Sequence, residues 1–155
     1  GLYTDQALQA QEKIDELTVK PEEEIQIEKL CETFFSSLAT KNEEILLSTV
    51  DNVMDNFLNK KNATHSDIKA LSEKLAESSS SNPKTFIVNN DFNIHKSYES
   101  SGDLSYNVTF SVNGINSDNQ MVEKYAVNVI VGSNMKIKSL GMKRSASNDT
   151  NKGQE

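Results

Sequence analysis

Between Pro21 and Thr40 the apolar residues Ile27, Leu30, Cys31, Phe34 and Leu38 recur three and four apart, the spacing of one buried helical face. Pro21 stands where a first turn tolerates proline. Glu22, Glu23 and Glu24 face the positive end of the helix dipole, and Lys41-Asn42 closes the segment. A second, shorter helix is predicted in NEEILLSTVDNVMDNF. It weakens at the β-branched Thr49 and Val50 and passes into an irregular or extended crossing through Val53, Met54 and Phe57. KKNATH then reads as a solvated turn feeding a third helix, whose Thr64-x-x-Asp67 resembles a capping box and whose Ile68, Leu71 and Leu75 share a face. Ahead of these, residues 5–19 carry a thin helical stripe, Ala7, Ala10, Ile14 and Leu17, which fits a short arm or linker.

From Lys84 the period changes to two. KTFIVNNDFNIHKSYE puts Phe86, Val88, Phe92, Ile94 and Tyr98 on one face and Ile87, Asn89, Asp91, Asn93 and His95 on the other. SSGD turns the chain, and LSYNVTFSVNG repeats the pattern with Leu104, Tyr106, Val108, Phe110 and Val112 inward. QMVEKYAVNVIVG aligns Tyr125, Val127, Val129 and Val131. After a GSN turn, MKIKSLGMK supplies a last strand with Met135 and Ile137 inward. Short turn-rich connections between four alternating segments describe an antiparallel meander with one wet face. The expected fold class is α+β: a short helical arm, then three N-terminal helices packed on a four-stranded antiparallel sheet. The arm or linker takes 1–20, the domain 21–144, and a disordered tail, SASNDTNKGQE, takes 145–155.

Composition narrows the partners. A formal net charge of −7 and an isoelectric point near 4.9 argue against nucleic acid or an anionic membrane surface, both of which demand a basic face. The best apolar run, YAVNVIV, is strand-sized, so no direct membrane insertion is expected. A single cysteine excludes an internal disulfide and a cysteine-built zinc site, and Cys31 lies on the apolar helical stripe as a core residue. The opening GLYTDQ, without methionine, is consistent with a trimmed start and an upstream signal or anchor.

The order helix, helix, corner, capped helix and long four-stranded meander resembles the nuclear transport factor 2-like (SnoaL-like, cystatin-related) superfamily. IEKLCETFFSSLATKNEEILLS, FLNKKNATHSDIKAL and the strands from Phe86 to Met142 carry the likeness, about 120 residues with no signature motif. The resemblance implies that the sheet is strongly bent into a cone whose concave face packs on the helices, with a pocket at the wide end. The corner most resembles bacterial envelope-associated members of unknown function. Superfamily members range from isomerases and dehydratases to non-catalytic binders.

Enzymes of this superfamily place a carboxylate, or histidine with aspartate, inside the cone, where burial raises the acid toward a useful pKa. Strand parity here predicts no inward ionisable group between Phe86 and Tyr98, none on the second long strand, and Glu123 near the start of the third. His95 and Asp91 fall outward unless a bulge, most readily in VNNDFN, reverses the register. His65 reads as a loop residue, and two histidines so placed make no metal site, which needs three or four converging ligands. No catalytic residue and no cofactor is assigned.

The ligand-pocket candidates are Phe34, Phe35, Met54, Tyr98, Tyr106, Glu123 and Tyr125, with Glu123 and the three tyrosines forming one polar mouth over an apolar pocket. The expected function is a non-enzymatic cone domain. It would bind a small apolar ligand or a protein partner outside the bacterial cytoplasmic membrane and dimerise through its sheet. The alternatives are a SnoaL-like isomerase or dehydratase-type enzyme on a hydrophobic substrate, a structural C-terminal module of a membrane-anchored protein, and a cytoplasmic location.

Overall fold

The computed structural model describes residues 17–77, 85–115 and 118–145. Most of the predicted arm, the segment after the third helix and all but Ser145 of the predicted tail lie outside the described residues. Among the described residues the order is α1 (Pro21–Thr40), α2 (Glu43–Ser48), β1 (Val53–Phe57), β2 (Lys60–Thr64), α3 (His65–Glu77), β3 (Thr85–Val88), β4 (Asn93–Tyr98), β5 (Leu104–Ile115), β6 (Met121–Gly132) and β7 (Ile137–Arg144). The α+β class matches the expectation, but the three helices are not grouped ahead of the sheet, since β1 and β2 lie between α2 and α3. Nor is the sheet four-stranded: among the described residues it has seven strands, ordered β2-β1-β7-β6-β5-β3 with β4 also on β5.

Helix α1 ends as its last residues dictate. Lys41 takes the left-handed conformation, φ 61, and its N–H donates to Leu38 O, while the Asn42 N–H donates to Ser37 O at 2.9 Å. Asn42 then starts α2, its Oδ1 accepting the Ile45 N–H at 3.2 Å. At α3 the capping box is reciprocal. The Thr64 N–H donates to Asp67 Oδ2 at 3.0 Å, and the Asp67 N–H donates to Thr64 Oγ1 at 3.3 Å.

The corner departs from its reading as a turn. Val53–Phe57 and Lys60–Thr64 pair antiparallel as a hairpin, and β1 also lies parallel to β7 through Asn56↔Ser139 and Phe57↔Leu140, so the sheet is mixed rather than antiparallel. The hairpin turns on Leu58 and Asn59, both at positive φ, 52 and 76, as primed two-residue turns require. Glycine or asparagine usually announces such a turn, and leucine does not. Only Ala63 of β2 is buried, so the strand shows no alternation. Its exposed lysines Lys60 and Lys61 suit an edge that must not recruit a further strand.

The first predicted strand is two strands. Val88 pairs with Val112 and Asn93 with Thr109, so the four residues 89–92 oppose only Phe110 and Ser111. The excess is two, an even number, and the faces on either side of the break therefore keep their parity. Asp91 and Asn89 stitch the bulge to β5. Asp91 accepts the Ser111 N–H at 2.9 Å and the Ser111 hydroxyl at 2.7 Å, and Asn89 Nδ2 donates to Ser111 Oγ.

Met135, predicted on the last strand, instead sits in the preceding turn at φ 60. Packing closes the concave side of the sheet. Phe34, Phe35, Ile27, Cys31 and Leu38 of α1 meet Phe57, Phe86, Val108, Phe110, Val112, Val127 and Val129 of the strands in one buried cluster.

Candidate functional site

The interior of the sheet is lined by aromatic rings packed on one another. Phe35 stands 5.1 Å from Phe34, 5.9 Å from Phe86 and 6.0 Å from Phe110 between ring centroids, and Phe86 reaches Tyr125 at 6.4 Å. Phe34, Phe35 and Met54 are buried to 1% exposure or less, so these three candidates belong to the packed centre. Tyr98 does not join them. It is 46% exposed on β4, an outer strand bonded only to β5.

The single polar mouth drawn from the sequence is two separate clusters. Tyr106 pairs with Val131, six residues along β6 from Tyr125, a separation of roughly 20 Å at 3.3 Å per strand residue. At the Tyr125 end the hydroxyl donates to Glu123 Oε1, and Arg144 Nη2 donates to Glu123 Oε2 at 2.6 Å. Alternation along β6 puts Glu123 and Tyr125 on the inward face, and Arg144 is the direct cross-strand partner of Tyr125. Glu123 is only 7% exposed, and the exposed guanidinium closes over it. Burial first, then the hydrogen bond to Glu123, pushes the Tyr125 phenol up.

At the other end Glu23 takes the place of Glu123. Its Oε2 accepts the Lys96 ammonium at 2.8 Å and the Tyr106 hydroxyl at 2.5 Å, and its Oε1 accepts the Lys20 N–H at 2.8 Å. Burial of the carboxyl pulls its pKa upward. The Lys20 N–H, the Lys96 ammonium and the Tyr106 hydroxyl outweigh that and hold it at about 2. The same environment, burial before Glu23, pushes the Tyr106 phenol up.

Lys96 corrects the count of inward groups. It shares parity with Ile94 and Tyr98, and its side chain is only 8% exposed. That parity was legible in the sequence. Its partner Glu23 was not, because a first-turn glutamate reads equally well as a dipole partner.

A base poised for proton transfer has a pKa near the working pH. Glu23 at about 2 is far below that, and Glu123 is engaged on both oxygens. The other candidates for chemistry lie apart. His95 is exposed on β4, and Asp91 faces outward with Ser111. His65 is the first residue of α3 rather than a loop residue, with Nε2 buried and unpartnered. Cys31 is 1% exposed, and burial, then Glu32 and Glu28, pushes its thiol up to about 12. No group of three histidine, cysteine or acidic residues that could hold a metal occurs among the described residues.

A cavity of 290 Å³ borders the same core at Leu38 and Leu46, lined by the C-terminal end of α1, by α2 and by α3. A shallower one of 390 Å³ touches β5, β6 and β7 at Thr109, Ala126 and Asn128.

No protein-family model matches the chain, and no curated protein matches its sequence. Solved structures do. A Nostoc punctiforme protein of unknown function with a cystatin-like fold superposes with a TM-score of 0.67 at 15% identity, covering 84% of this chain and 97% of its own. A candidate isomerase of the SnoaL-like family from Agrobacterium tumefaciens gives 0.59 at 10% identity, over 78% of this chain and 98% of its own. The chain has the nuclear transport factor 2-like, SnoaL-like cone fold. Aln2 from a Streptomyces species superposes on this cone as well, at 0.61 and 11% identity, over 88% of this chain and 98% of its own. At such identities the likeness concerns the fold alone.

Proposed function

We propose that this cone domain is a non-enzymatic binding module of the bacterial cell envelope. One observation carries the reading. Glu23 and Glu123, the carboxylates at the two ends of the cone's inner face, are each closed by a cation and a tyrosine hydroxyl of the same chain. A carboxylate so engaged braces the fold and is poor at lifting a proton from a substrate. The aromatic rings between them leave the interior to packing, so binding of a ligand or partner falls to surfaces outside it. The envelope location rests on the resemblance of the corner and third helix.

The test is to incubate the purified domain with a panel of hydrophobic cyclic ketones and hydroxyketones and follow them by proton NMR. No turnover is expected. Turnover that disappears in Glu123→Gln, with the fold intact by circular dichroism, would sink the proposal. It would establish the second reading, a SnoaL-like enzyme, which is favoured by the inward, 7% exposed position of Glu123 beside Tyr125. Fractionation of the native host tests the location separately, and recovery in the cytosol alone would overturn it.

A further inference from the structure

The 290 Å³ cavity is built unlike the interior. Its floor is apolar: Leu38 and Leu46 are 2% and 3% exposed. Set into its α3 wall is Ser72, 4% exposed, whose Oγ is buried without a hydrogen-bond partner. The other buried hydroxyls on or beside a helix among the described residues are paired: Ser37 Oγ donates to Phe34 O at 2.9 Å and Thr49 Oγ1 to Leu46 O at 2.7 Å. Ser72 makes no such bond, and an unpaired buried hydroxyl is costly enough to call for a partner.

The rim carries both signs of charge. Lys41 and Lys69 stand with Glu43 and Glu73, so the four formal charges cancel. An ion pair across the rim, Lys69 to Glu43 at 3.4 Å, has both side chains nearly half exposed, so water and salt screen it and a competing ion opens it readily. The volume lies just below the roughly 300–1,000 Å³ of drug-sized sites, which limits the occupant to a smaller metabolite. A neutral rim selects against a plain anion or cation, an apolar floor calls for a hydrocarbon side, and the orphan hydroxyl calls for one more polar group.

We infer that the cleft between the end of α1, α2 and α3 is a binding site for a small zwitterion with an aliphatic side chain, a free α-amino acid of the leucine or valine class. Its carboxylate meets the Ser72 hydroxyl and the Lys69 ammonium, its ammonium meets the Glu73 and Glu43 carboxylates, and its side chain lies on Leu38 and Leu46. This extends the binding reading above by giving it a site and a ligand chemistry.

The experiment titrates the isotopically labelled domain with L-leucine, 4-methylpentanoate and isoamylamine, following amide shifts. 4-Methylpentanoate is leucine without its ammonium, and isoamylamine is leucine without its carboxylate. The expected result is saturable shifts at Leu38, Leu46 and Ser72 with L-leucine, and binding at least about tenfold weaker for each half-molecule. Ser72→Ala, which removes an unpaired hydroxyl and so keeps the fold, should weaken L-leucine by about fivefold, the worth of one hydrogen bond. Leu46→Phe, which fills the floor, serves as a second variant and should abolish the shifts.

Equal affinity for the three probes, shifts centred elsewhere, or no shift up to about 20 mM L-leucine would each overturn the inference. Those failures are distinct from turnover of the cyclic ketones, which sinks the non-enzymatic reading whether or not leucine binds.

Discussion

Replacing Glu23 with glutamine separates two accounts of the start of α1. As one of three first-turn glutamates, Glu23 would contribute to the helix dipole roughly what Glu22 and Glu24 do, about 0.3–1 kcal/mol. The structure gives it more: the Lys96 ammonium at 2.8 Å, the Tyr106 hydroxyl at 2.5 Å and the Lys20 N–H at 2.8 Å. A carboxyl held at about 2 instead of 4.5 is stabilised by folding, with a ceiling of roughly 3.4 kcal/mol at about 1.4 kcal/mol per pH unit. The side chain is 18% exposed, so solvent screening brings this to roughly 2 kcal/mol. The mutational scale agrees, since hydrogen bonds to a charged group are worth about 1.5–3 kcal/mol and Lys96, 8% exposed, would lose its counter-ion.

Glu23→Gln should therefore destabilise the domain by about 2 kcal/mol at pH 7, against about 0.5 kcal/mol for Glu22→Gln. The pH dependence follows from the sign of the shift. A depressed carboxyl pKa means that its stabilisation is fully present above about 4.5 and is lost as the pH falls toward about 2. Urea unfolding followed by circular dichroism, at several pH values from 7 to 2.5, should show the gap between the two proteins narrowing below pH 4.5. A gap under about 0.5 kcal/mol at pH 7, or one that does not change with pH, would refute the ion-pair account. The double variant Glu23→Gln/Lys96→Met should cost less than the sum of the single changes.

Phe35→Ala, which removes the ring touching Phe34, Phe86 and Phe110, should cost about 3–5 kcal/mol in denaturant unfolding, whereas Phe35→Leu should retain most of that. Thr64→Ala removes the reciprocal cap of α3 and should cost about 1 kcal/mol, with little added by Asp67→Ala in the same chain. Cys31, with its thiol pushed up to about 12, should resist iodoacetamide at pH 8 until the domain is unfolded; rapid labelling of the native protein would contradict its placement in the core.

Legibility followed periodicity. Helix α1, the capping box of α3 and the inward faces of β5 and β6 were all readable, because each rests on a repeat or a local hydrogen bond that a few neighbouring residues supply. The parity of Phe86 and Ile94 survived the break between β3 and β4 because the bulge inserts two residues; one residue would have reversed it. Strand β2 was missed for the opposite reason. Lys60, Lys61, Asn62 and Thr64 are exposed, and an edge strand that buries only Ala63 carries no alternation to detect. Within the candidate site, Glu123 and Tyr125 stand two apart on one strand and their proximity was legible, whereas the grouping with Tyr106 and Tyr98 was not.

What the chain determined by itself is therefore local: helical faces, caps, and which side of each long strand turns inward. The tertiary structure alone decided the parallel pairing of β1 with β7, the reach of Arg144 to Glu123, and the meeting of Glu23 with Lys96 across 73 positions. It also decided that Ser72 ends in a cleft with no partner. The physical reason is that backbone propensity and hydrophobic spacing act within a few residues. The company a buried polar group keeps depends on how distant elements stack, and no short window of sequence contains that information.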